Sequence, residues 1–371
     1  MNEAMNRVFW TPHSGYHGPG WGDRFFEGWY FRVTVPDRAQ SFAFMYSIDD
    51  PKGNSDLSGG AAQILGPQED YFYCPLPATD RFWAWRNGLG LGHWGEATGD
   101  RPRYLSADAF AEQVALGYQA TAHHHQGALR DRETGVIARW DYTIEPVYGW
   151  GGVAEPQQPT GGLWSYLPIF EPGWQVVMAH GRATGWIEWQ GDRYDLQRCP
   201  AYAEKNWGGA FPQRWFWLQC NAFAACPDLT ITVAGAYRYV LDRLETVGLI
   251  GLHLNGQFIA FASLRDRLTW RVEPWGQWHI TAENHRHRIE IVGTCDRSPA
   301  QVRVPTREGL KFACWDTTNG HLSVTLWTRS PGQRAIAADD PPVLQATSDL
   351  AGLEVGGSGW DAPWRFQSPH V

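Results

Sequence analysis

The chain has 371 residues, is 43% hydrophobic and carries a formal charge of −8. That length exceeds what one hydrophobic core usually fills, so two domains or sub-domains are expected. The acidic balance, with lysine only at Lys52, Lys205 and Lys311 and the arginines scattered, excludes the clustered basic footprint that a nucleic-acid partner needs.

The N-terminal stretch MNEAMNRVFWTPHSGYH lacks the basic segment and apolar core of a signal or transit peptide. No uncharged apolar run of about 18 residues follows, so the expected location is cytoplasmic. The next stretch, Arg24 to Val33 (RFFEGWYFRV), crowds aromatic residues around one carboxylate, Glu27. A buried, unpaired carboxylate is costly. Glu27 is therefore either a structural partner of a cation such as Arg24, Arg32 or Lys205, or an acid held neutral until its proton is needed.

Period-two patterns dominate from there. In SFAFMYSI, Phe42, Phe44, Tyr46 and Ile48 share one face; LTITVAGAYRYVL and HLSVTLW alternate in the same way. Asn87-Gly88, Asn255-Gly256 and Asn319-Gly320 are predicted hairpin turns, because these pairs supply positive φ. One short helix is predicted in SADAFAEQVALG, with Ser106 as N-cap, Phe110 and Val114 on one face and Gly117 as the stop. The result is an all-β chain of antiparallel sandwich or barrel type. A loop at 149–162 (GWGGVAEPQQPTGG) precedes a division near residue 195, giving halves 1–195 and 196–371; RWFWLQCNAF opens the second much as FFEGWYFRV opens the first.

Familiar catalytic signatures are missing. GLGHWG, from Gly90, fits GxGxxG, but Gly99 and Pro102 follow where a dinucleotide site needs a helix N-terminus. There is no Walker loop, HExxH or GxSxG, and the six cysteines form no CxxC pair, so they read as reduced thiols. His123 to His125 and the pair His285 and His287 offer i, i+2 ligand spacing without a companion carboxylate, so a polar strand face is preferred to a metal site. The apolar stretch Leu163 to Trp174 (LWSYLPIFEPGW) reads either as core or as a lid or interfacial patch.

The second acidic stretch is AYAEKNW. If extended, it sets Tyr202, Glu204 and Asn206 on one face and Ala203, Lys205 and Trp207 on the other. Glu204 then lies between a phenol and an amide, both able to orient it and adjust its proton affinity. Glu27 has no such polar neighbours in register. Glu204 and Glu27 are both candidate acids.

The blocks TPHSGYHGPGWGDRFFEGWYFRVTVPDRAQSFAFMYSIDDP, FYCPLPATDRFWAWRNGLGLG, GYQATAHHHQG and AYAEKNWGGAFPQRWFWLQCN, in this order from about residue 11 to 221, resemble the tocopherol cyclase family. That family is similar, more distantly, to lipocalin-like proteins that include carotenoid hydratases. In those a Tyr-x-acid-x-Asn-Trp-Gly segment carries Asp where this chain has Glu204. The resemblance implies two lipocalin-like β halves and a cofactor-free cycloisomerisation. A carboxylic acid protonates the prenyl double bond of a methyl-phytyl-benzoquinol, and the phenol oxygen closes on the resulting tertiary cation to give a chromanol. It casts Glu204 as the acid, oriented by Tyr202 and Asn206, with Glu27 as a second carboxyl or part of the wall. Trp29, Tyr30, Tyr46 and Trp207 become the expected substrate-binding residues, with Trp29 and Trp207 facing the cation. No cofactor, metal or nucleic acid is implied. The lipid substrate implies peripheral contact with a thylakoid-type membrane surface, with the Leu163–Trp174 loop as the contact. The alternatives are a prenyl-lipid hydratase, in which water captures the cation, and a binding protein that carries the lipid unchanged.

Overall fold

The computed structural model describes residues 10–369 except 19–23, 54, 154, 168–169, 242, 331–335 and 338, together with the side chain of Phe170. Most of the segment examined for a leader therefore lies outside the described residues, as do Pro168 and Ile169 of the apolar loop.

The chain is nearly all antiparallel β. The strands are β1 (Phe26–Val35), β2 (Gln40–Asp49), β3 (Gly59–Leu65), β4 (Tyr71–Leu76), β5 (Phe82–Ala84), β6 (Gly90–Ala97), β7 (Val114–Thr121), β8 (His124–Arg130), β9 (Ile137–Tyr148), β10 (Phe170–Glu171), β11 (Gly173–Trp189) and β12 (Asp192–Gly208). They continue as β13 (Arg214–Cys220), β14 (Thr230–Val240), β15 (Arg243–Leu254), β16 (Gln257–Ala262), β17 (Arg267–Val272), β18 (Gln277–Glu283), β19 (His287–Thr294), β20 (Ala300–Thr306), β21 (Gly309–Thr328), β22 (Leu344–Gly357) and β23 (Trp364–Gln367). The first sheet has 11 strands in the order β4-β3-β2-β1-β12-β11-β9-β8-β7-β6-β5. The second has 12: the path β16-β15-β14-β13-β22-β21-β19-β18-β17-β23, with β20 on β21 and β10 on β14. Residue 195 falls inside β12, a strand of the first sheet; apart from the two-residue β10, the chain passes to the second sheet between Gly208 and Arg214.

Each sheet curls around its own core. Residues from opposite ends of the first sheet, Phe72 of β4 and Leu91 of β6, join Trp29, Phe44, Tyr118 and Trp140 in one cluster. Phe216, Leu218, Ile250, Trp278 and Leu353 do the same in the second. Strand alternation leaves a reverse face on each sheet. On the first it carries Tyr30 and Arg32 of β1, which stand directly opposite Glu204 and Tyr202 of β12. On the second it carries Trp215 and Trp217 of β13. These reverse faces pack on one another through Ala43, Leu65, Trp215 and Val302, and through Tyr202, Val176 and Trp217. Buried Arg32 fastens the seam by donating to Gln219, Ser41 and the carbonyls of Thr318 and Leu350 at 2.7–3.0 Å.

The helix spans Ala107–Gln113, with the Ser106 hydroxyl accepting from the Ala109 amide and Phe110 buried; it ends before Gly117, which lies in β7 at φ 153°. Asn255-Gly256 forms the tight β15–β16 turn with φ of 51° and 79°. Asn319-Gly320 makes no hairpin: it sits inside β21, where the pairing with β22 shifts register around Gly320. The dipeptide lies there at a bulge in a long strand, with neither residue at positive φ; the Leu353 side chain occupies the place a Cβ at Gly320 would take.

Candidate active site

Where the reverse faces part, they enclose a cavity with ≈ 1170 Å³ of empty space counting its open mouth. The first sheet contributes Gly28, Tyr30, Met45, Gln63, Glu204 and Asn206, and the second contributes Trp215, Trp217, Ala234, Asp316 and Glu354. Pro172 and Trp174, just after β10, close one side. The wall is mostly aromatic and apolar, with a few acids set into it, as small-molecule sites usually are.

Glu204 is the best-defined of these acids. The Tyr202 hydroxyl donates to its Oε2 at 2.6 Å, and the Trp217 indole N–H donates to the same oxygen at 3.0 Å. Both donors are neutral. Burial raises the carboxyl and these donors only partly offset it, so Glu204 is pushed up to about 7. Near neutral pH a large fraction of Glu204 is therefore a neutral acid able to donate a proton.

Glu27 shows the opposite outcome of the same burial. Its side chain is fully enclosed and ion-paired with the equally enclosed Lys205. The His17 backbone amide donates to its other oxygen at 2.8 Å. Burial raises the Glu27 carboxyl, but the Lys205 charge and the hydrogen bonds from His17 and Lys205 outweigh it and hold it below the usual carboxylate range. A carboxyl facing an ammonium stays ionised; one facing a phenol and an indole does not. Glu27 is not among the cavity-lining residues.

The remaining sequence-predicted residues divide by strand face. Asn206 and Tyr30 line the cavity, and Tyr202 stands behind Glu204. Trp29 and Tyr46 border it from strands whose other face forms the wall, while both side chains belong to the first-sheet core. There Tyr46 stacks on Tyr118 at 3.8 Å and hydrogen-bonds His125 at 2.6 Å. Trp207 points away with Lys205 and stacks on His17 at 3.9 Å. Among the described residues no three His, Cys, Asp or Glu side chains gather as a metal-binding set. His124 bonds Asp141 at 2.9 Å and His287 bonds Thr328 at 3.1 Å.

Cavity residues that the sequence did not single out include Trp215, Trp217, Asp316 and Glu354. The signal for the tryptophans was present, since RWFWLQC is apolar on both faces and so buries both. Glu354 is a carboxylate between apolar neighbours (LEV) and Asp316 follows an apolar run (ACW), the kind of setting that singled out Glu27.

A carboxyl pushed up to about 7, aromatic faces and an apolar cavity between two antiparallel sheets form a site suited to acid–base chemistry on a largely apolar ligand. The chain matches the tocopherol cyclase-like family over residues 23–357. It is 40% identical over 385 residues to a probable chloroplastic tocopherol cyclase of Oryza sativa subsp. japonica, covering 97% of this chain and 81% of that one. To the chloroplastic tocopherol cyclase of Zea mays it is 41% identical over 387 residues, with the same coverage. The crystal structure of CghA shares the fold at TM-score 0.51 and 11% identity, covering 90% of this chain and 89% of that one. The chain belongs to the tocopherol cyclase family. It is an enzyme, and the reaction is the cycloisomerisation that gives this family its name.

Proposed function

We propose that the enzyme binds a methyl-phytyl-benzoquinol in the inter-sheet cavity and that Glu204 protonates the prenyl double bond. The observation that carries this reading is a carboxyl that burial pushes up to about 7 and whose hydrogen-bond donors, Tyr202 and Trp217, are both neutral. Proton transfer to the alkene leaves a tertiary cation one carbon away. The indole faces of Trp215 and Trp217 and the ring of Tyr30 are the aromatic surfaces available to it. The phenol oxygen then closes on the cation, giving the chromanol. Tyr202 orients the acid, Asn206 lies in register beside it, and Glu27 with Lys205 stabilises the β1–β12 pairing rather than taking part.

The cavity also suggests how a lipid arrives. Leu163, Trp164, Tyr166 and Leu167 are all exposed, Leu163 by 81%. The strand that follows, β10, pairs with the end of β14 at Tyr239 and Val240, and Tyr239, Leu241 and Leu244 there are exposed as well. Pro172 and Arg238, at the inner end of the same strands, border the cavity. Among the described residues no helix is long and apolar enough to cross a membrane. In this reading the patch rests on a thylakoid-type membrane surface and the prenyl chain passes from the bilayer into the cavity. The plant relatives carry chloroplastic in their names, which agrees with such a surface. Turnover of a phytyl-benzoquinol by the Glu204→Gln variant is the test. Near-complete loss with an unchanged melting temperature supports the reading, and retained turnover rejects it.

A further inference from the structure

Glu204 supplies one half of the acid–base chemistry. The other half, removal of the phenolic proton, needs an acceptor, and the second-sheet wall of the cavity carries one that the reading above leaves unused. Asp316 of β21 and Glu354 of β22 are direct partners across the strand pair, so two carboxyls stand side by side. The Trp215 indole donates to Glu354 Oε1. Asp316 Oδ1 is buried and has no hydrogen-bond partner among the described residues, and neither has the Tyr30 hydroxyl across the cavity. Arg32, the cation that reaches Asp316, commits its terminal nitrogens to Gln219, Ser41 and two carbonyls.

Buried polar atoms are rarely left unpaired, and those that are commonly mark a place for a ligand or water. Two neighbouring buried carboxyls cannot both be ionised cheaply, so such a pair shares a proton, with one member free to accept. Burial first, and then the neighbouring carboxyl (with Glu69 a further contributor), raises Asp316 well above the usual range; burial raises Glu354 too, against the Trp215 and Cys314 hydrogen bonds.

We propose that the Asp316–Glu354 pair holds the ring-closing hydroxyl of the quinol and takes its proton as the ring oxygen bonds to the cation. The step balances. The alkene π bond breaks and a C–H bond forms with the Glu204 proton; the phenol O–H breaks as the C–O bond forms, and that proton goes to the pair. After turnover Glu204 is one proton short and the pair one proton richer. Exchange with solvent after product release restores both, so the reaction stays an isomerisation.

This inference rests on the Glu204 reading for its place in the reaction, so the experiment measures binding without turnover. Two probes are compared: a benzoquinol with a saturated phytyl chain, which cannot cyclise, and the same molecule lacking the ring-closing hydroxyl. A site built to bond a hydroxyl rejects the analogue without it. The wild-type protein is expected to prefer the quinol by at least about tenfold. The Asp316→Leu/Glu354→Met double variant, which removes every acceptor of the pair, should bind both probes alike, with unchanged affinity for the deoxy probe. The Glu204→Gln variant should keep the preference whether or not it turns over, which separates failure of this inference from failure of the acid assignment. A preference that survives in the double variant overturns the proposal. Should that variant lose both probes, infrared difference spectra of Glu204→Gln decide instead. A protonated-carboxyl band that moves with the quinol and not with the deoxy probe supports the pair, and a band unmoved by either rejects it.

Discussion

The Tyr202→Phe variant isolates what sets the acidity of Glu204. Phenylalanine keeps the ring in its buried place and deletes only the hydroxyl that donates to Glu204 Oε2 at 2.6 Å. A hydrogen bond to a charged group contributes roughly 1.5–3 kcal/mol, and it favours the ionised carboxylate. At about 1.4 kcal/mol per pH unit, its loss raises the carboxyl by roughly one to two units, from about 7 to roughly 8–9. The form that donates the proton is the neutral one, so the rate falls as pH rises through this value. The assay is kcat/KM against pH in detergent, because that ratio reports the free enzyme. The variant's alkaline limb should move upward, even though a weaker, less well-held acid lowers the plateau. A limb that stays near 7, or moves down, would refute the assignment of Glu204 as the titrating acid.

Three other outcomes follow from the geometry. Lys205→Met leaves the Glu27 carboxylate buried without its cation and should destabilise the fold by about 3–5 kcal/mol in denaturant melts. Adding Glu27→Gln should recover much of that loss, whereas a stable Glu27→Gln enzyme with no turnover would return Glu27 to the chemistry. A Cβ at Gly28 would meet only the Tyr46 carbonyl oxygen, at 3.6 Å. Gly28→Leu should therefore fill the cavity, raising KM at least about tenfold with little change in melting temperature; an unchanged KM would put the ligand elsewhere. The triple substitution of Leu163, Trp164 and Leu241 by Ser should lower partitioning onto liposomes at least about a hundredfold. That loss should be insensitive to salt, because the patch is apolar; unchanged partitioning would discard it as the membrane contact.

The all-β architecture was legible because strand alternation is written locally, and so was the face that carries Tyr202, Glu204 and Asn206. What the sequence hides is which face of a strand meets which other strand. Trp29 and Tyr46 look like pocket aromatics, yet their strands turn them into the first-sheet core, since Gly28, Tyr30, Met45 and Ser47 occupy the other face. The different fates of Glu27 and Glu204 depend on partners distant in sequence. Lys205 lies 178 positions from Glu27 and is brought to it by the β1–β12 pairing. Trp217, by contrast, reaches Glu204 only because the two sheets meet. Asp316 and Glu354 gain meaning only when β21 pairs with β22. The Asn319-Gly320 bulge shows the same limit: the dipeptide type that turns the β15–β16 hairpin lies inside a long strand here, and tertiary pairing decides which.

The central claim is that Glu204 places a proton on carbon. The most direct measurement is a single turnover of a phytyl-benzoquinol in D₂O by the wild-type and Glu204→Gln enzymes, with products read by mass spectrometry. The expected wild-type product is a chromanol with one deuterium on the methylene beside the new ether carbon, and the variant should give essentially no product. Chromanol free of carbon-bound deuterium, or a variant that cyclises at the wild-type rate, would contradict the account.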